Sequence, residues 1–257
     1  MGRITPTVKH LLIINILFFV GKLAMPEAFD RLFSLYYFDN PNFKVWQPIT
    51  HMFMHGDFKH ILFNMFGLYM FGSPLEAVWG KKKFLFFYFS AGLGAAVIHT
   101  LVNYYHVQSG FQALLDAGRT PTQILEQMAD IMSQVASSTT GQYSTMEFGG
   151  VPIEQIGAMT ESYEGSALGA SGAIMGIMVA FGLLYPNMEL MLIFLPIPIK
   201  AKYFIPVIVL IDLFSGLTGF SLFGQGIAHW AHLGGALFGF IMAYYWKKNS
   251  FNNRRWD

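Results

Sequence analysis

Runs of about 20 predominantly apolar residues recur along the chain, and they leave few folds open, because a segment of that length crosses the hydrocarbon core of a bilayer as an α-helix. Six such runs occur, at approximately 10–26, 60–78, 84–104, 166–186, 202–220 and 226–246. Composition agrees: 54% of residues are hydrophobic and 12% charged, where a soluble domain carries about 25% charged residues. The expected fold is all-α, a polytopic bundle of six transmembrane helices forming a single membrane domain over 1–257. Leu190 to Pro198 is also apolar but too short to span, and with Pro196 and Pro198 it reads as a surface-lying connection. No small-residue cleavage site follows Lys22, so the first run reads as a retained helix rather than a signal peptide.

Charge sets the orientation. Eleven of the sixteen Lys and Arg residues lie before the first run, between the second and third, between the fourth and fifth, or after the sixth. With six spans all four places share one side, so that side is expected to be cytoplasmic and to hold both termini. The other side then receives two long connections, about 27–59 and 105–165. The second holds seven acidic residues against one base, Arg119, and its core, about 106–164, is an insertion on the outer face. Within it Thr120-Pro121-Thr122-Gln123 has capping-box spacing, followed by Ile124, Met128, Ile131 and Val135 at helical spacing, which predicts an amphipathic helix. Such a helix packs on the rim of the bundle or serves as a lid or docking element.

Composition also excludes several chemistries. Sixteen basic against fifteen acidic residues give a net charge of +1, so no basic surplus invites nucleic acid. Without cysteine there is no disulfide framework, thiol nucleophile or thiolate-held metal. His51 and His55 have the i, i+4 spacing of a metal pair, but no HExxH motif occurs; they read as hydrogen-bonding within the first connection, and neither a metal nor a cofactor is expected.

Strongly polar groups inside a membrane helix are costly, which makes each one a functional candidate. His60 and Asn64 lie four apart on one face of the second run. Ser171 lies in Gly169-Ala170-Ser171-Gly172, within a ladder of Gly165, Gly169, Gly172 and Gly176, and His229 and His232 precede Gly235 and Gly239 on the sixth run. Asp57 to Asn64, Glu164 to Ser171 and Gln225 to His232 are each seven residues, which at helical rise places the three groups at one level, roughly 10 Å from the outer rim. Singly, each has a plain structural reading: a small packing residue, a packing hydrogen bond, interhelical glue. Together they supply a serine, a base to activate it and donors for an oxyanion.

These residues resemble the rhomboid family of intramembrane serine proteases over nearly the whole chain apart from the insertion. Trp46-Gln47-x-x-Thr50-His51-x-x-x-His55-x-x-x-x-His60-x-x-x-Asn64 is similar to the family's first-loop and second-helix motif, Gly169-Ala170-Ser171-Gly172 to its GxSG motif, and Ala231-His232-Leu233-Gly234-Gly235-x-x-x-Gly239 to its AHxxGxxxG motif. The resemblance implies a serine-histidine dyad with no acidic third member. Ser171 would be the nucleophile, His232 the general base, and His60, Asn64 and the Ser171 N–H the oxyanion hole. It also implies single-span membrane proteins as substrates, cut near the outer face after a small residue where the helix unwinds easily. Glu76 and Leu195 to Lys200 resemble family positions too and read as architectural. Gln47 stands where many relatives carry arginine, which removes that residue's anchoring of the first loop. The insertion is where this chain's own substrate preference or regulation is expected.

His229 is the alternative base, but only His232 has glycines at +3 and +7. Two other functions compete: a rhomboid-like pseudoprotease that binds membrane clients without cutting them, and a small transporter in which intramembrane His and Asn form a proton or substrate path, continued inward only by Asp212 on the fifth run. The short N-terminus lacks an Arg- and Ser-rich leader, so a bacterial-type plasma membrane is the expected location.

Overall fold

The structure is a computed structural model and describes residues 3–124, 126, 150–192, 195–220 and 228–253. In chain order its elements are α1 (Pro6–Ala24), α2 (Pro26–Phe33), β1 (Leu35–Tyr36), α3 (Gln47–Thr50), α4 (Phe58–Gly67), α5 (Ser73–Asp116), α6 (Ile153–Glu164), β2 (Ser166–Ala167), α7 (Ser171–Leu184), β3 (Glu189–Leu192), β4 (Leu195–Lys200), α8 (Ala201–Thr218) and α9 (His229–Asn253). They form two compact units, one of residues 1–34, 45–99 and 168–257, the other of 35–44 and 100–167.

In the first unit, Pro6 and Pro26 open α1 and α2 at the first-turn position, where a missing N–H leaves no bond unmade. The Glu76 carboxylate covers the positive end of α1, accepting from the N–H groups of Thr7 and Val8 at 2.9 Å each and from the Thr5 hydroxyl. That is the architectural place its sequence position suggested. A π turn at Leu68–Gly72 joins α4 to α5. The resulting 59-residue apolar helix breaks at Gly80 (φ 75, ψ 165), immediately before Lys81, where the sequence places the turn between its second and third runs.

Among the described residues three helices are long and apolar enough to cross a membrane: α1, Phe58–Asp116 and α8; α7 is apolar but has only 14 residues. Leu17, Leu210 and Leu217 are each more than half exposed, as lipid-facing side chains are, while Phe84, Phe87, Ile177 and Ala180 pack into a buried core. Between α7 and α9 the backbones touch. A Cβ on Gly235 would run into the carbonyl of Gly172, and one on Gly239 into Gly176 Cα, so these glycines are what permit the approach.

Four expectations need correction. The fold is mostly helical but not wholly: β1 pairs antiparallel with β2, and the Leu190 to Pro198 connection is part of an antiparallel β3–β4 hairpin, its prolines on the two-stranded edge where a lost N–H is tolerated. The fourth run starts its helix at Ser171 rather than near 166, because 166–167 are strand and Gly169 has φ 129. Of the three seven-residue steps, that from the N-cap Asp57 to Asn64 is helical and that from Glu164 to Ser171 is not; Gln225 lies outside the described residues. Finally, α5 continues past 104 to Asp116, ending where Gly118 (φ 85) takes the left-handed conformation and Arg119 N–H returns to Leu114 O at 3.0 Å.

In the second unit Leu114 of α5, Ile124 of the turn after it, and Ile156 and Met159 of α6 form a buried cluster. The predicted capping box is formed, with Gln123 N–H donating to Thr120 Oγ1 at 3.3 Å and Thr120 N–H to Gln123 Oε1 at 2.9 Å. Met128, Ile131 and Val135 of the predicted amphipathic helix lie outside the described residues. Asn40, buried, donates from Nδ2 to Tyr163 O at 2.8 Å.

Candidate active site

The first loop of the site is built by capping. The last carbonyls of a helix lack intrahelical partners, and those of α2 are taken by side chains of the Trp46 to Thr50 motif. Trp46 Nε1 donates to Leu32 O at 2.8 Å, Gln47 Nε2 to Arg31 O at 3.1 Å and Thr50 Oγ1 to Phe33 O at 3.0 Å. Gln47 thus anchors the loop by its amide, without the arginine that many relatives carry. From there the connections run toward Ser171. His51 Nδ1 donates to Gln47 O at 2.9 Å, and His51 O accepts from Gly169 N–H at 2.9 Å. His51 hydrogen-bonds within the loop as expected; His55 is buried and packs edge-on against His60, with ring centroids 5.1 Å apart.

Gly169 holds the turn that makes Ser171 the first residue of α7, where first-turn N–H groups have no intrahelical acceptor and the helix dipole is positive. On α9 the close contact at Gly172 and Gly235 brings His232 alongside, and Ser171 Oγ meets His232 Nε2 at 2.8 Å. Of the two candidate bases only His232 is bonded to the serine; His229 turns its Nδ1 to Asp212.

His60 lies in the first turn of α4, whose N-cap Asp57 accepts from His60 N–H at 2.9 Å. That hydrogen bond holds the exposed Asp57 carboxyl below the usual carboxylate range. Gly56 N–H donates to His60 Nδ1 at 3.3 Å, so Nδ1 is the acceptor and the ring proton sits on Nε2. A methyl group on Gly169 would lie 2.8 Å from that Nε2 and 3.4 Å from Ser171 Oγ, so the two side chains face one small space. One turn along the same face, Asn64 keeps its Nδ2 buried with no hydrogen-bond partner among the described residues. Two donors that could meet a developing negative charge thus lie on α4.

The sequence did not anticipate the acid at this site. Asp212, read from sequence only as a possible continuation of an inward path, places both carboxylate oxygens 3.2 Å from His232 Nδ1. Its Oδ1 also accepts from His229 Nδ1 at 2.6 Å. The expectation of a histidine without an acidic neighbour is therefore wrong, because packing of α8 on α9 closes a gap that 20 residues of sequence conceal. The ligand atoms of Asp212, His229 and His232 all lie within 4.8 Å of one another, the arrangement among the described residues that could receive a metal ion. Each is already engaged in a hydrogen bond with another of the three.

A helical membrane protein with a serine hydroxyl on an imidazole, and N–H donors facing the same space, carries the equipment of acyl transfer. The family model described as Rhomboid domain matches residues 42–118 and 125–249, and the chain belongs to the rhomboid family. It is 28% identical over 251 residues to the mitochondrial presenilin-associated rhomboid-like protein of Bos taurus, which covers 96% of this chain and 50% of that protein. It is 26% identical over 236 residues to an uncharacterized mitochondrial rhomboid protein of Schizosaccharomyces pombe, covering 89% of this chain and 57% of that one. A putative rhomboid protease of Bacillus subtilis is 38% identical over 48 residues, 19% of this chain and 24% of that protein. The chain thus spans about half the length of the first two of these relatives.

Proposed function

We propose that the protein is an intramembrane serine endopeptidase that cuts single-span membrane proteins near the outer face of the bilayer. The observation that carries this reading is the 2.8 Å contact between Ser171 Oγ and His232 Nε2. Ser171 attacks the peptide carbonyl as its proton passes to His232 Nε2. The oxyanion is met by the Ser171 N–H, His60 Nε2–H and Asn64 Nδ2–H. The C–N bond breaks as His232 returns that proton to the leaving amine; water, deprotonated by His232, then attacks the acyl carbon, and the acyl–Oγ bond breaks as His232 returns this second proton to Ser171 Oγ. The residues need no cofactor for this. Six spans, with both termini on the side marked by Lys and Arg, open the site to the opposite side, and a substrate helix must unwind there to present its carbonyl. As to which membrane, the names of two relatives favour a mitochondrial one over the plasma membrane; fractionation of the source cells decides it.

The test is cleavage of a single-span reporter by the purified full chain in detergent or liposomes, with Ser171→Ala and His232→Ala beside it. Cleavage by the unsubstituted protein alone, all three being folded, is the expected result. Equal behaviour of the three, with cutting or without it, overturns the roles of Ser171 and His232, and if a panel of other single-span reporters also stays uncut, client binding without cleavage takes its place.

A further inference from the structure

We propose that Asp212 is a positioning residue for this proteolytic reaction, the third member of a Ser171, His232 and Asp212 triad whose carboxylate is pinned in place by His229. The inference rests on the protease reading and adds to it the group that sets the protonation geometry of His232.

A carboxylate 6% exposed on a membrane-length helix is costly unless paired. Asp212 is paired twice, both times to α9, where His229 and His232 lie one turn apart. An ionised carboxylate only accepts hydrogen bonds, so each imidazole must present an Nδ1–H to it. For His229 that makes a short contact of 2.6 Å, which fixes the carboxylate against α9. For His232 it decides which nitrogen is free. With the proton on Nδ1, Nε2 offers its lone pair to the Ser171 hydroxyl, the one tautomer in which His232 can act as base.

The same arrangement serves the next moment of the reaction. When the serine proton reaches Nε2 the ring becomes an imidazolium, and both oxygens of Asp212 already lie 3.2 Å from its Nδ1 to balance that charge. The groups around His232 are then Asp212 from α8, Ser171 from α7, His229 on its own helix, and His60 from α4 across the space beside Gly169. Among the described residues Asp212 is the one carboxylate hydrogen-bonded to His232.

A purely structural Asp212 would clasp α8 to α9 and nothing more, and the test separates the two roles. Cleavage of the reporter is measured for the unsubstituted chain, Asp212→Asn, Asp212→Glu and Ser171→Ala, with the 15N shifts of the His232 ring read on labelled protein in micelles. Asparagine can donate to Nδ1 and so supports the wrong tautomer. We expect Asp212→Asn to lower kcat by roughly a hundredfold or more with KM within about twofold, and Asp212→Glu to recover at least about tenfold of that loss. The ring shifts should show an Nδ1–H tautomer that Asp212→Asn loses. A folded Asp212→Asn with kcat within about threefold of the unsubstituted chain overturns the proposal, as does a loss lying mainly in KM that glutamate does not recover. Should the unsubstituted chain cut no better than Ser171→Ala, the protease reading is what fails, and the ring tautomer alone then decides whether Asp212 orients His232.

Discussion

A proton added to the ring of His51 would be stranded. The side chain is buried, its Nδ1–H is committed to Gln47 O, and its backbone carbonyl holds Gly169. Burial holds the His51 pKa down at about 4, and burial with His60 alongside holds His55 at about 3, against 6.5 for a free imidazole. Below pH 6.5 the unfolded chain therefore binds protons that the folded chain refuses. Stability is full above that pH and falls as pH drops toward 4, with a slope approaching about 1.4 kcal/mol per unit for each group. The thermal midpoint in micelles is expected to decline over this window. In His51→Gln, which keeps an N–H for Gln47 O, the decline should be shallower; parallel curves would show that His51 is not a titrating group. The residues nearest the chemistry were legible because each stands in a spaced pattern: Ser171 between glycines, His232 before Gly235 and Gly239, His60 four before Asn64. Asp212 was not, since nothing in the spacing around it refers to His232 and only the packing of two helices joins them. The tautomer of His60 was equally hidden, resting on the N–H of Gly56.

Among the elements, the helix pair α7 and α9 was the most readable, because glycines four apart predict backbone contact and Gly172, Gly176, Gly235 and Gly239 make it. Lys247 adds a hydrogen bond from its Nζ to Leu183 O at 2.8 Å, near the C-terminal end of α7. The ladder was read too far, however: Gly165 ends α6 and Gly169 forms a turn, so half of it lies outside α7. Apolar content fixes which segments are buried or lipid-facing, whereas the start of α7 depends on local turn geometry that hydropathy does not register. Glu76 shows the converse, a polar residue in an apolar run whose purpose is another helix. Removing its carboxylate leaves Thr7 and Val8 N–H without their acceptor, so Glu76→Ala should destabilise the protein by about 1–3 kcal/mol and Glu76→Gln by less, since its amide oxygen still accepts. Hydrogen exchange at Thr7 and Val8 checks the cause. Unchanged exchange in Glu76→Ala would mean that the cap is not what protects them.

At the scale of the molecule, the sequence separated apolar spans from connections and gave the second connection too little structure. Apolarity alone puts the end of the third run near 104, yet Val107, Phe111, Leu114 and Leu115 continue a helical stripe at i, i+4, i+7 and i+8, a signal that predicts the extension to Asp116. That stripe supplies Leu114 to the buried cluster with Ile124, Ile156 and Met159, so the 35–44 and 100–167 unit has a core of its own. A segment with its own core can diverge without disturbing the buried contacts around Ser171, and this is the physical ground for expecting substrate preference there. A deletion that probes this must spare Leu114 and Ile124, and with them the cluster. Deleting 127–149 removes none of its four residues. That variant is expected to label at Ser171 with a fluorophosphonate as fast as the intact chain, while its relative kcat/KM values across a panel of single-span reporters change. The labelling reads the Ser171 and His232 pair, which lies wholly in the other unit, and the panel reads selection. If labelling is preserved and every ratio across the panel also stays the same, residues 127–149 do not choose substrates, and selection must be sought in the first loop around Trp46 and His51.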